Sequence, residues 1–245
     1  MEGADVRWSA NDALGIFSGT KFVNAKFTTK DDNAASATFT GDATDAEGTE
    51  AAKAFAYYPY AAGATLEGTT VSGLEIPAVQ TFAEGTFATT LNPMAAVGED
   101  HTSLAFRSVG AVLRFKLTGT DTFNKLILTG NNDESIAGAY ALDFSGEVPA
   151  MTFSGEGKSI TVTCASDVTL KTDVATEVHF VVPAGIEFTK GVSLKIVHSY
   201  YSWDAGDVNK EILTRKFTTP LTTAANKLYN CLLYTSPSPR DRTRS

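Results

Sequence analysis

Cysteine, histidine and basic charge are all scarce in this chain of 245 residues. Two cysteines and three histidines are too few for a structural zinc framework or a multi-disulfide scaffold, so an apolar core must hold the fold alone. The 20 Lys and Arg are outnumbered by 28 Asp and Glu, giving a net charge of −8. That balance argues against a nucleic-acid binder, which needs clustered cations to displace counterions from phosphates. No apolar run is long enough to span a bilayer as a helix. Residues 1 to 8 lack the basic and apolar regions of a secretory signal, and the reading expects a truncated start.

The chain is nevertheless built to fold. Hydrophobic residues make up 43% of it and charged residues 20%, a balance that lets burial offset the entropy of ordering. Thr accounts for about one residue in seven, Phe and Tyr total 23, and Gly occurs 20 times. This composition suits half-buried pleated strands joined by tight turns.

Alternation with a period of two dominates. Leu113, Phe115 and Leu117 alternate with Arg114 and Lys116; Ile160, Val162 and Cys164 alternate with Thr161 and Thr163; Val192, Leu194 and Ile196 alternate with Ser193 and Lys195. Each run predicts a strand with one face inward. Val178 to Val182 is more uniformly apolar, which predicts an inner strand covered on both sides and ended by Pro183. Glycine-rich punctuation at short intervals favours a sandwich or barrel over alternating strands and helices. The expected fold class is therefore all-β and mainly antiparallel. The Ala-rich piece Asp45 to Ala54 is the one candidate helix, of one or two turns.

The polar stretch Asn92 to Ser103 precedes the strongest alternating run, placing a domain boundary near residue 101. The expected division is residues 1–101 as an N-terminally truncated sandwich and 102–230 as a second. After Asn230 the sequence Cys231-Leu-Leu-Tyr-Thr-Ser-Pro-Ser-Pro-Arg-Asp241 does not read as a strand, and it is similar to a sequencing adapter translated in one frame. Residues 231–245 are accordingly expected to be a non-native tail. Setting aside Arg240, Arg242, Arg244 and Asp241 leaves 17 basic and 27 acidic residues, a net charge of −10.

Reactive chemistry is hard to find. His101, His179 and His198 are scattered, with neither a nucleophile elbow nor a zinc-binding His-Glu-x-x-His helix, and they read as side chains on sheet faces. Gly157-Lys158-Ser159 has the last letters of a phosphate loop, but Thr152 stands where the first glycine belongs, so the stretch reads as a turn. The acidic stretches lack the spacing of a calcium loop. The expectation is a non-enzyme with no metal and no cofactor; an Asp204 and Asp207 carboxylate pair ranks last as a hydrolytic centre, because one loop gives no control over their separation. The aromatic runs are the better candidates. Phe55 to Tyr60 should split its rings between two faces and belong mostly to the core. Tyr200, Tyr201 and Trp203, beside acidic residues in a loop, are candidate ligand or interface aromatics able to stack on sugars.

Several landmarks in order resemble one family. Val6-Arg-Trp-Ser-Ala-Asn-Asp-Ala-Leu-Gly-Ile-Phe17, the Phe55 to Tyr60 strand, Gln80, Leu91-Asn-Pro-Met-Ala-Ala96, Leu104 to Leu117, Gly138 to Phe144 and Ala225-Asn-Lys-Leu-Tyr-Asn230 are together similar to the fimbrillin-like proteins of Bacteroidia, the subunits of type V pili. Asn11 stands where that family usually has Gly, and Ser108-Val-Gly110 replaces a commoner His-containing stretch. The resemblance implies two transthyretin-like β-sandwich domains, export as a lipoprotein to the outer membrane and cell surface, loss of a first strand by proteolysis, and donor-strand exchange between pilus subunits. A sandwich short of one strand exposes an apolar slot and unpaired backbone, and an incoming strand satisfies both. The partners so implied are other pilus subunits and a host or bacterial surface receptor. A surface glycan-binding module using Tyr200, Tyr201 and Trp203 is the alternative.

Overall fold

The computed structural model describes residues 6–41 and 47–234. Among these residues every regular element is a strand and almost every pairing is antiparallel. The chain is all-β, as the alternation requires.

The N-terminal sheet has the spatial order Arg107–Ser108, Met94–Gly98, Ala54–Tyr58, Ala13–Ser18, Phe22–Thr29, Phe39–Gly41. A second six-stranded sheet runs Gly206–Phe217, Val192–Ser202, Thr122–Gly130, Ser159–Thr169, Val79–Ala83, Thr86–Phe87. A four-stranded sheet (Ala150–Phe153, Gly138–Asp143, Thr70–Ile76, Thr65–Glu67) and a three-stranded sheet (Thr176–Val182, Ala111–Thr118, Leu228–Tyr234) complete the layers, with a small pair at Glu187–Phe188 and Leu221–Thr222. Three of these sheets cross residue 101: Arg107 pairs with Ala95, Leu74 pairs with Tyr140, and Gln80 pairs with Val162 in a parallel ladder.

The apolar faces follow the alternation. Leu113, Phe115 and Leu117 are fully buried while Arg114 and Lys116 reach the rim, where both meet Glu177, at 3.2 and 2.7 Å. Val178 to Val182 is buried at every position and the strand ends before Pro183. Tyr57 lies across the chain from Gly15, and a Cβ there would stand 2.3 Å from the Tyr57 ring. Only glycine leaves room for that ring. Its hydroxyl donates to Asn24 Oδ1 at 2.6 Å and accepts from the Ala61 N–H at 3.3 Å; burial pushes its pKa up to about 12.

Two sequence expectations need correction. Residues 47–53 form no helix: Gly48 takes a positive φ of 131°, and the Thr49 carbonyl accepts from the Thr20 and Lys21 N–H groups of the neighbouring hairpin turn. The backbone bonds a helix needs are spent on that turn. Asp45 lies outside the described residues. The second correction concerns Cys231 to Tyr234, which continue Leu228–Tyr234 in a parallel ladder along Ala111–Thr118 up to Thr118 opposite Tyr234. An unpaired edge accepts any chain segment that can extend, because its ladder is made of backbone groups. Residues 235–245 lie outside the described residues.

Candidate functional site

Strands Ala13–Ser18 and Ala54–Tyr58 are apolar at both parities, which distinguishes them from a half-solvated strand. Phe17, Tyr57 and Ala95 turn to the large core shared with the other sheets, where Phe55 stacks on Phe144 at 4.9 Å. Leu14, Ile16, Ala56, Tyr58 and Met94 turn the opposite way and form a separate, smaller cluster with Phe22 and Phe27. A sheet with two apolar faces needs two covers. Among the described residues no further sheet covers this second face.

What lies over that face is an open groove of about 900 Å3. Leu14, Ile16, Phe27 and Met94 form its floor, residues 35–39 one rim and residues 104–108 the other. Trp8 stands between the rims, edge-on to Phe39 at 4.9 Å, Tyr58 at 5.3 Å and Phe106 at 5.3 Å. It is pinned by a bridge to Ala34, with N–H to carbonyl distances of 2.8 and 3.1 Å. Leu104 to Phe106 leave the Arg107–Ser108 strand as a stretch outside any ladder. The groove therefore offers apolar side chains below and unladdered backbone alongside.

A polar end adjoins this groove. Asp12 is buried and accepts from the Tyr58 hydroxyl at 2.7 Å and the Ser9 N–H at 2.8 Å. Burial, reinforced by Asp12, drives the Tyr58 hydroxyl well above the ordinary tyrosine pKa. Asn92 Oδ1 takes the Ser108 hydroxyl, while its Nδ2 is buried with no partner. His101 borders the opposite part of the groove with Nδ1 2.9 Å from Glu50, and that hydrogen bond lowers the Glu50 pKa.

The sequence-predicted aromatics are elsewhere. Tyr200, Tyr201 and Trp203 cap the hairpin between Val192–Ser202 and Gly206–Phe217, and are 46%, 64% and 93% exposed. The Tyr201 and Trp203 rings stand 5.7 Å apart at 85°, so they present an edge and a face instead of one flat platform. Because Trp203 packs on so little, Trp203→Ala should change unfolding free energy by less than about 0.5 kcal/mol in a urea titration. Asp207 sits opposite Tyr201 in the hairpin register.

The remaining candidates have structural tasks. His179 is buried, and desolvation lowers its pKa. His198 pairs with Asp167 at 3.0 Å, Lys158 Nζ donates to the Asp133 carbonyl at 2.8 Å, and Gly157 bridges Ala137. Both cysteines are free, and burial raises the Cys164 thiol to about 11. No described helix is long and apolar enough to cross a membrane. Sequence reasoning missed the groove residues Trp8, Phe39, Leu104 and Phe106. The available signal was the double-sided apolar pattern of residues 13–18 and 54–58.

No protein-family model matches the chain, and a search of curated proteins finds no similar sequence. Solved structures resemble it to different degrees, and one from Bacteroides uniformis shares its fold. A candidate cell adhesion protein from Bacteroides uniformis is 17% identical over 94% of this chain and 89% of its own, with a TM-score of 0.51. Another from Bacteroides ovatus is 12% identical over 92% of this chain and 83% of its own, with a TM-score of 0.47. The tip fimbrial protein Mfa3 from Porphyromonas gingivalis, C-terminally truncated, is 11% identical over 95% of this chain and 92% of its own, with a TM-score of 0.36.

Proposed function

We propose that the chain is a non-enzymatic fimbrial subunit or adhesin of the cell surface, exported as a lipoprotein and built of two transthyretin-like sandwiches. It assembles when a strand from a neighbouring pilus subunit fills the groove over the N-terminal sheet. One observation carries this reading: the second apolar face of that sheet, floored by Leu14, Ile16, Phe27 and Met94, has no second sheet over it among the described residues. An added strand would cover the half-buried Trp8, Phe39, Leu104 and Phe106, which already pack over that floor, and pair with backbone along Leu104 to Phe106. The fold shared with the Bacteroides uniformis cell adhesion candidate and the ordered landmarks of the sequence support the same reading.

The test is surface assembly. Carried to the surface of a Bacteroides host by an export leader, the wild-type chain should appear along filaments by immunogold labelling. Phe106→Asp changes a half-buried rim residue, so the chain should still fold, by circular dichroism, yet its filament labelling should fall at least about tenfold, because a buried unpaired carboxylate penalises docking by more than about 1.4 kcal/mol. Undiminished labelling of that variant would remove the groove from the account; a wild-type chain that never enters filaments would remove the subunit reading.

The alternative is a glycan-binding surface module, favoured by the exposure of Tyr201 and Trp203. A glycan array on wild type and Tyr201→Ala separates it from the first reading: signal lost in the variant supports it, and no signal from either ends it.

A further inference from the structure

The groove's charge runs against that of the chain. Asp and Glu outnumber Lys and Arg 28 to 20 overall, yet among the described residues no carboxylate lines the groove, and Arg7, Arg107 and His101 all do. His101 is already engaged by Glu50, which also binds Lys21 at 3.2 Å. The two arginines are exposed, and neither has a carboxylate partner among the described residues. Arg7 is oriented at the rim by a hydrogen bond from its guanidinium to the Asn33 carbonyl at 3.1 Å.

A second observation points the same way. The groove adjoins a cavity of about 340 Å3 that shares Val6, Arg7, Trp8 and Met94 with it and is also lined by Asn92. Asn92 is 1% exposed, and its Nδ2 has no acceptor. Buried donors in native proteins almost always find one. The carboxylates of this smaller cavity already have donors: Asp12 holds Tyr58 and Ser9, and Asp32 Oδ1 accepts from the Ala10 N–H at 3.3 Å. The groove itself thus presents two cations without a carboxylate partner, and the adjoining cavity one buried amide donor beside two carboxylates that are already hydrogen-bonded.

Resting on the strand-acceptor reading, we propose that the strand which fills this groove is an acidic one. Its alternate apolar side chains pack on the half-buried Trp8, Leu104 and Phe106, its outward Asp or Glu side chains turn to Arg7 and Arg107, and one of its oxygens takes the Asn92 Nδ2 hydrogen. Alternation makes this pattern natural, since residues one apart on a strand face opposite ways. The charges choose among candidate strands while the half-buried rim residues Trp8, Phe39, Leu104 and Phe106 supply the apolar contact.

Three soluble fluorescent peptides of about twelve residues, long enough to cross the sheet, test the assignment. Each alternates Val and Ile with one polar residue, which is Glu, Gln or Lys, and each is titrated against the full chain by fluorescence polarisation. The Glu peptide should bind at least about fivefold tighter than the Gln peptide at low ionic strength, with the Lys peptide weakest. The preference should fall below about twofold in Arg7→Gln/Arg107→Gln, two exposed changes that spare the core, and should shrink with added salt in the wild type. Equal binding of the Glu and Gln peptides to wild type would overturn the acidic-strand proposal and leave the strand-acceptor reading standing. Binding of none of the three would overturn both.

Discussion

Gln80→Leu should lower the unfolding free energy by about 2–6 kcal/mol, an effect large enough to move the urea midpoint of the whole chain. Gln80 is buried in the strand Val79–Ala83, and its side-chain amide does the work of a neighbouring strand. Val181 N–H donates to Gln80 Oε1 at 3.0 Å, and Gln80 Nε2 donates to the Val181 carbonyl at 2.7 Å. Val181 already faces Val112 across the three-stranded sheet, so Gln80 closes the outer side of that strand. Leucine is close in size and leaves both backbone groups buried without partners, each costing about 1–3 kcal/mol. A change below about 1 kcal/mol would mean that water or a shifted strand takes over those bonds. The contact joins strands on either side of residue 101, and one cooperative transition that moves as a unit is therefore expected.

Phe115→Ala should cost about 3–5 kcal/mol, the range for truncating a fully buried aromatic. Phe115 has no exposed surface and stands edge-on to Phe180 at 5.7 Å and tilted against Phe217 at 5.5 Å. These partners come from two other strands, so collapse around the missing ring is limited and a cavity remains. Against a typical total of about 5–15 kcal/mol, the variant should be partly unfolded well below the wild-type midpoint. A loss under about 1.5 kcal/mol by equilibrium denaturation would show that the layers there are loosely packed.

The parts of this fold legible in the sequence are those fixed by neighbours along the chain. Alternation placed Phe115 inward and Lys116 outward, the uniform run placed Val178 to Val182 in the interior, and parity set Tyr57 and Tyr58 on opposite faces of one strand. The groove was illegible for a matching reason: Trp8, Phe39 and Phe106 meet only after the sheet forms, and no local pattern links them. Its trace was the apolar residues at both parities of 13–18 and 54–58, which ask for a cover on each side. Sequence left Tyr200, Tyr201 and Trp203 open between core and ligand platform; the structure exposes them, and the 85° angle between the Tyr201 and Trp203 rings depends on rotamers that sequence does not fix. The missed strand at Cys231 to Tyr234 has yet another cause, since an open ladder along Ala111–Thr118 recruits backbone whatever the side chains beside it.

Amide hydrogen exchange at Leu104, Ala105 and Phe106, compared between the isolated chain and filaments containing it, tests the central claim most directly. These amides lie outside any ladder and should exchange near the rate of open chain in the free subunit. On assembly they should slow by at least about a hundredfold, together with Phe39 at the opposite rim, as an incoming strand claims their hydrogen bonds. Unchanged exchange at both rims in assembled filaments would contradict the account, because a strand cannot fill the groove and leave its flanking backbone open to water.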